Sequence, residues 1–157
     1  ELATDKKIIV GAGTVLDAIT ARICIMRGAN FIVSPSFSAE VAKMCNLYNV
    51  LFVSGVVTPN EIIQSMEAGC SLLKLFPSSN FSPTIIKDFL APFPQCSFMP
   101  TGGISLENIG QWIRSGASLV GVGGVLTKGA KTGDYKNVEQ TAKLFLEEVR
   151  KARRVEN

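Results

Sequence analysis

The sequence predicts an α/β fold in which parallel strands alternate with helices, of the TIM-type (β/α)8 barrel class. Three observations carry that expectation. Six short apolar runs recur along the chain, each continuous rather than alternating in character, as expected of strands buried on both faces. Helix-length segments with their own start signals lie between them. The phrase Gly-small-small-apolar occurs three times, at Gly28-Ala29-Asn30-Phe31, Gly69-Cys70-Ser71-Leu72 and Gly116-Ala117-Ser118-Leu119. Its occurrences stand 41 and 47 residues apart, which is two strand-helix modules of roughly 20 residues each.

In chain order the expected strands are Ile8-Ile9-Val10, Phe31-Ile32-Val33, Val50-Leu51-Phe52-Val53, Leu72-Leu73-Lys74-Leu75-Phe76, Phe98-Met99 and Leu119-Val120-Gly121-Val122. Asp17 precedes a helix that ends at Gly28, and Ser38 precedes one over Ala39 to Tyr48. Thr58-Pro59-Asn60-Glu61 combines a capping box with proline at the first helical position, so its helix should run to Gly69. Ser82-Pro83 opens another, Ser105 opens one that stops at Gly116, and a last helix runs from about Asn137 into a basic tail. Strict βαβα order implies right-handed crossovers and a parallel sheet. Thr14, Pro35, Lys74 and Thr101 fall at or just beyond strand ends, where barrels gather their active sites, and this favours a barrel over an open sheet. Gly11-Ala12-Gly13-Thr14-Val15-Leu16 lacks the third glycine of a dinucleotide fingerprint.

The 157 residues suit one domain over 1–157. About six of the eight βα units of a barrel are countable. Glu1-Leu2-Ala3 leads directly into a strand, as expected if the first β-α-β portion of the barrel lay outside this sequence. The composition, 46% apolar and 18% charged, contains no run long enough to cross a bilayer and no leader pattern. A net charge of +3, concentrated in Arg150, Lys151, Arg153 and Arg154, disfavours a nucleic-acid partner. Cys24, Cys45, Cys70 and Cys96 are widely spaced and there is no histidine, which excludes the usual zinc spacings. Buried reduced thiols in a reducing cytoplasm are the expectation.

Lys74 is the most informative residue. An ammonium group inside Leu72-Leu73-Lys74-Leu75-Phe76-Pro77 either snorkels out, pairs with a carboxylate, or is a desolvated amine whose lowered pKa suits it to attack a carbonyl. Pro100-Thr101-Gly102-Gly103-Ile104-Ser105 and Gly121-Val122-Gly123-Gly124 place glycine pairs after consecutive strands. They serve either as packing turns or as loops whose backbone N–H groups approach an anion.

Gly11-Ala12-Gly13-Thr14-Val15, Phe31-Ile32-Val33-Ser34-Pro35, Gly55-Val56-Val57-Thr58-Pro59-Asn60-Glu61, Lys74-Leu75-Phe76-Pro77 and Met99-Pro100-Thr101-Gly102-Gly103-Ile104-Ser105-Leu106-Glu107-Asn108 together resemble one family in order and spacing. It is the 2-keto-3-deoxy-6-phosphogluconate (KDPG) aldolases, often bifunctional as 4-hydroxy-2-oxoglutarate (KHG) aldolases. The resemblance implies a class I lyase of carbohydrate metabolism, in the Entner–Doudoroff route. Such an enzyme works through a Schiff base, without cofactor or metal, as a cytoplasmic homotrimer acting on pyruvate and a phosphorylated keto acid. It places Lys74 on the Schiff-base lysine, and Thr14, Pro35, Phe76 and Thr101 on substrate-binding positions. Thr101, Gly102, Gly103, Gly123 and Gly124 fall on the phosphate-binding positions.

The sequence departs from the family pattern in three places. The family's general acid/base glutamate and its companion arginine precede the segment matching Gly11, and neither Glu1 nor any other glutamate here occupies that motif. Val125 stands where many members have serine. Ser54 replaces a common proline, and Ser78-Ser79-Asn80-Phe81 replaces a glycine-richer loop; both are expected to retune substrate size. Two other readings of the same residues are a phosphate-binding barrel that isomerises or epimerises sugar phosphates, and a barrel that binds a phosphorylated sugar without turning it over.

Overall fold

The computed structural model describes residues 8–154; Glu1, Leu2 and Ala3 lie outside them. The chain forms two compact units, Glu1–Phe76 and Pro77–Asn157. In the first, β1 (Gly11–Ala12), α1 (Ala18–Met26), β2 (Phe31–Val33), α2 (Ala39–Leu47), β3 (Leu51–Val56), α3 (Pro59–Glu67) and β4 (Leu72–Leu75) alternate without exception. Each strand pairs in parallel with the next, in a register that sets Gly11 beside Phe31, Phe31 beside Leu51, and Gly55 beside Lys74. Ile32, Phe52, Val53, Leu73 and Leu75 from the sheet and Ala21, Val41, Ala42 and Ile62 from the helices are buried, so the continuous apolar runs are explained by helices covering the sheet.

The helix starts follow the expected chemistry. The Asp17 carboxylate accepts from the Thr20 backbone N–H at 2.7 Å, and the Ser38 hydroxyl accepts from Val41 N–H at 3.3 Å. At Thr58 the capping box closes in both directions, with Glu61 Oε2 accepting from the N–H groups of Val57 and Thr58, each at 2.8 Å. Gly28, Gly69 and Gly116 end their helices in the left-handed region, with φ of 93°, 86° and 99°.

The second unit contains a 3₁₀ turn (Ser78–Asn80), α4 (Ile85–Leu90), β5 (Ser97–Pro100), α5 (Ile109–Arg114), a 3₁₀ segment (Lys128–Thr132) and α6 (Tyr135–Arg154). Phe98 on β5 stacks on Phe89 of α4, with ring centroids 5.7 Å apart. Ile109, Trp112 and Ile113 of α5 and Phe145 of α6 complete this core. Lys151, Arg153 and Arg154 lie in the last turn of α6, where cations oppose the helix dipole.

Several sequence expectations are corrected. Leu119-Val120-Gly121-Val122 is not a strand; it makes a single bridge, between Thr101 and Gly121. Gly121 within the run and Gly123 and Gly124 after it offer little to pack, and the run's backbone bonds to β5 are Leu119 N–H to the Phe98 carbonyl at 3.4 Å and Gly121 N–H to the Pro100 carbonyl at 2.9 Å. The first strand sits at Gly11–Ala12 rather than at Ile8–Val10, and Ile9 is 78% exposed. The helix expected from Ser105 begins at Ile109, because the Asn108 side chain takes the Ser105 N–H and holds 105–108 as a turn. The last helix begins at Tyr135, two residues early, after Asp134, whose carboxylate accepts from Asn137 N–H at 3.1 Å.

Candidate active site

In the first unit, Thr14, Pro35, Lys74 and Phe76 all stand at the C-terminal end of the parallel strands. Lys74 is the third residue of β4 and only 8% exposed. Its side chain forms no ion pair; among the described residues the pairs are Lys143–Glu139 and Lys151–Glu148. Its burial does not suit a snorkelling lysine, and no carboxylate among the described residues pairs with it. Burial drives its pKa down from the ordinary 10.5. The Phe76 ring lies under the ammonium, 4.3 Å from Nζ to the centroid, and offsets part of that cost through its π face.

Backbone packing seats the neighbours of Lys74. Gly55, its partner on β3, has the Pro35–Ser36 peptide where a β-carbon would stand, so the loop after β2 crosses bare backbone there. Ser34 N–H donates to the Val53 carbonyl at 3.1 Å and ties that loop to β3. Thr14, exposed, holds φ at 59°, a conformation costly for a β-branched residue. Ser54 faces away from this end: its hydroxyl accepts from Ser65 Oγ of α3 at 2.9 Å, and both serines are fully buried. The hydroxyl at 54 thus joins strand to helix, which corrects the expectation that this position tunes substrate size.

In the second unit, Thr101 follows β5 directly, and Gly102 and Gly103 take φ of 90° and 78°. Their carbonyls are occupied, that of Gly102 by Ser78 Oγ at 2.7 Å and that of Gly103 by Asn108 Nδ2 at 2.8 Å. The Thr101 carbonyl accepts from Ser78 N–H at 2.9 Å. Gly123 and Gly124 are exposed, with open space where a β-carbon would be, and the Gly123 carbonyl accepts from Leu126 N–H at 2.9 Å. Val125 is exposed beside them.

Ser78 and Asn108 are positioning residues that the sequence reading left without a role. The Ser78–Asn80 turn braces the glycine loop, and a β-carbon on Gly103 would lie 2.7 Å from Ser79 Cβ. An asparagine three residues after Ser105 was the available signal for Asn108.

The cysteines are free thiols, and burial pushes Cys45 and Cys70 up to about 11. Folding brings these two close enough for the Cys45 charge to raise Cys70 further. Among the described residues no three of Cys, Asp or Glu gather as a metal site, and no helix is long and apolar enough to cross a membrane.

Residues 2–141 match the family described as "Aldolase: KDPG and KHG aldolase". The chain is 33% identical over 147 residues to the 2-dehydro-3-deoxy-6-phosphogalactonate aldolase of Escherichia coli K12, covering 93% of this chain and 71% of that one. It is 34% identical over 149 residues to the 2-dehydro-3-deoxy-phosphogluconate aldolase of Pseudomonas aeruginosa, covering 92% and 67%. A solved structure described as native KDPGal superposes with a TM-score of 0.90 at 31% identity, covering 97% of this chain and 73% of that chain. Fold, motif order and these likenesses agree: the chain belongs to the KDPG and KHG aldolase family, class I lyases on the (β/α)8 barrel.

Proposed function

We propose that this chain cleaves 2-keto-3-deoxy-6-phosphogluconate to pyruvate and glyceraldehyde 3-phosphate through an imine on Lys74, with 4-hydroxy-2-oxoglutarate as a second substrate. The observation that carries the assignment is the burial of Lys74 with no carboxylate partner among the described residues, which favours the free amine a ketone requires. The amine attacks the C2 ketone and loses water to give an iminium. The iminium then accepts the electron pair of the breaking C3–C4 bond as the C4 hydroxyl gives its proton to water and the aldehyde leaves; the resulting enamine takes a proton at C3, and water hydrolyses the iminium to release pyruvate and the Lys74 amine. Thr14, Pro35 and Phe76 hold the keto-acid end, and Thr101 meets the substrate beyond it. Thr101 with the N–H groups of Gly102, Gly103, Gly123 and Gly124 holds the phosphate. General acid/base catalysis is assigned to no residue of this chain.

Sodium borohydride added with pyruvate tests this reading. Reduction of the imine fixes the pyruvyl group on Lys74, where peptide mass spectrometry finds it; an unmodified Lys74 overturns the proposal.

The same reading places the enzyme in the cytoplasm as a homotrimer. Support comes from its free thiols and from α1, where Ile19, Ile23 and Met26 form an exposed apolar stripe spaced four and three residues apart.

A further inference from the structure

The second unit contains a cavity of about 270 Å³ between α4 and α5, away from Thr101–Gly103 and Gly123–Gly124. Its polar lining consists of Ser82, Thr84, Lys87, Gln111, Arg114 and Ser115. No carboxylate borders it, and neither cation belongs to either of the ion pairs found among the described residues. The Arg114 guanidinium folds back over Gly110, where a β-carbon would come within 3.0 Å of Nη1. Ser82 Oγ accepts from Thr84 Oγ1 at 3.1 Å, which leaves the Ser82 proton free to donate outward. Ser115 is only 8% exposed and lines the cavity.

We propose that this cavity is a second anion site, which binds the phosphate group of a small phosphorylated compound. Two unpaired cations neutralise a dianion, the planar guanidinium can bind two of its oxygens, and the hydroxyls of Ser82 and Ser115 supply further donors. Gln111 is the one lining side chain with an amide acceptor, so the site has little to offer a cation.

The test titrates the ¹⁵N-labelled 157-residue chain with inorganic phosphate, then with glycerol 3-phosphate, at constant ionic strength. The expected result is saturable movement of the Lys87, Arg114 and Ser115 amide signals. In the Lys87→Gln/Arg114→Gln variant it weakens by about tenfold or more, while the Gly123 and Gly124 signals respond as before. Tighter binding of the ester identifies an organic phosphate as the ligand, and equal binding identifies free phosphate. If the double variant does not fold, Ser115→Ala replaces it, with a several-fold weakening expected. Absence of saturable movement in the wild type overturns the proposal, as does an equal response in the variants or the same movement produced by sodium chloride alone.

Discussion

At the scale of single residues, Lys74 sets the most direct test. Its folded pKa lies below the unfolded value, so between the two the unfolded chain carries a proton that the folded chain lacks. Stability should therefore rise with pH across that window, which ends near 10.5, and Lys74→Met should lack the rise. At neutral pH the variant should melt no lower than the wild type, because it removes a buried charge, yet it should trap no pyruvate under borohydride. The rate of imine trapping in the wild type should increase with pH and level off below 10.5; a midpoint at the ordinary lysine value would show the amine to be solvated. Ser78→Ala removes the hydroxyl that occupies the Gly102 carbonyl. It should cost about 1 kcal/mol in urea unfolding and raise KM for the phosphorylated substrate more than for 4-hydroxy-2-oxoglutarate, which has no phosphate.

At the scale of elements, α3 carries a closed capping box at its first turn. Thr58→Ala should cost about 1 kcal/mol of unfolding free energy, measured by denaturant titration at neutral pH. Burial opposes ionisation of Glu61, but hydrogen bonds from Val57 and Thr58 outweigh it and hold its pKa below the ordinary 4.5. Its contribution should thus be complete above that value and be lost as pH falls through the lowered one. This helix was legible in the sequence because its signal is local: a threonine, a proline and a glutamate within four residues. Lys74 and the glycine pairs were legible for a similar reason, a charge in an oily run and doublets after strands. The Leu119–Val122 run misled because apolar content records burial and not ladder bonds. Its side chains suit a strand, while its backbone reaches β5 through a single bridge at Gly121 and one long bond from Leu119. The role of Ser78 was hidden because its acceptor, Gly102, lies 24 residues away, and a serine followed by a second serine carries no positional signal.

For the molecule as a whole, light scattering coupled to size exclusion should find three copies per particle. Ile19→Lys/Ile23→Lys on the exposed face of α1 should give a monomer with unchanged circular dichroism, and persistence of the trimer would move the interface elsewhere. No glutamate in this chain matches the family's acid/base motif. The 157-residue chain should therefore form the pyruvate imine yet cleave substrate on the order of 10²–10⁴-fold more slowly than relatives that carry it. The crossing of the Pro35–Ser36 peptide over Gly55 bears on how such an enzyme could change its diet. A contact between two stretches of main chain has no side chain to trim or enlarge, so drift in the surrounding pocket can alter which keto acid is welcome without shifting the ground on which Pro35 rests. Acceptance of new substrates is then free to evolve around a fixed footing, and a methyl group added at position 55 is the small change that would unsettle it.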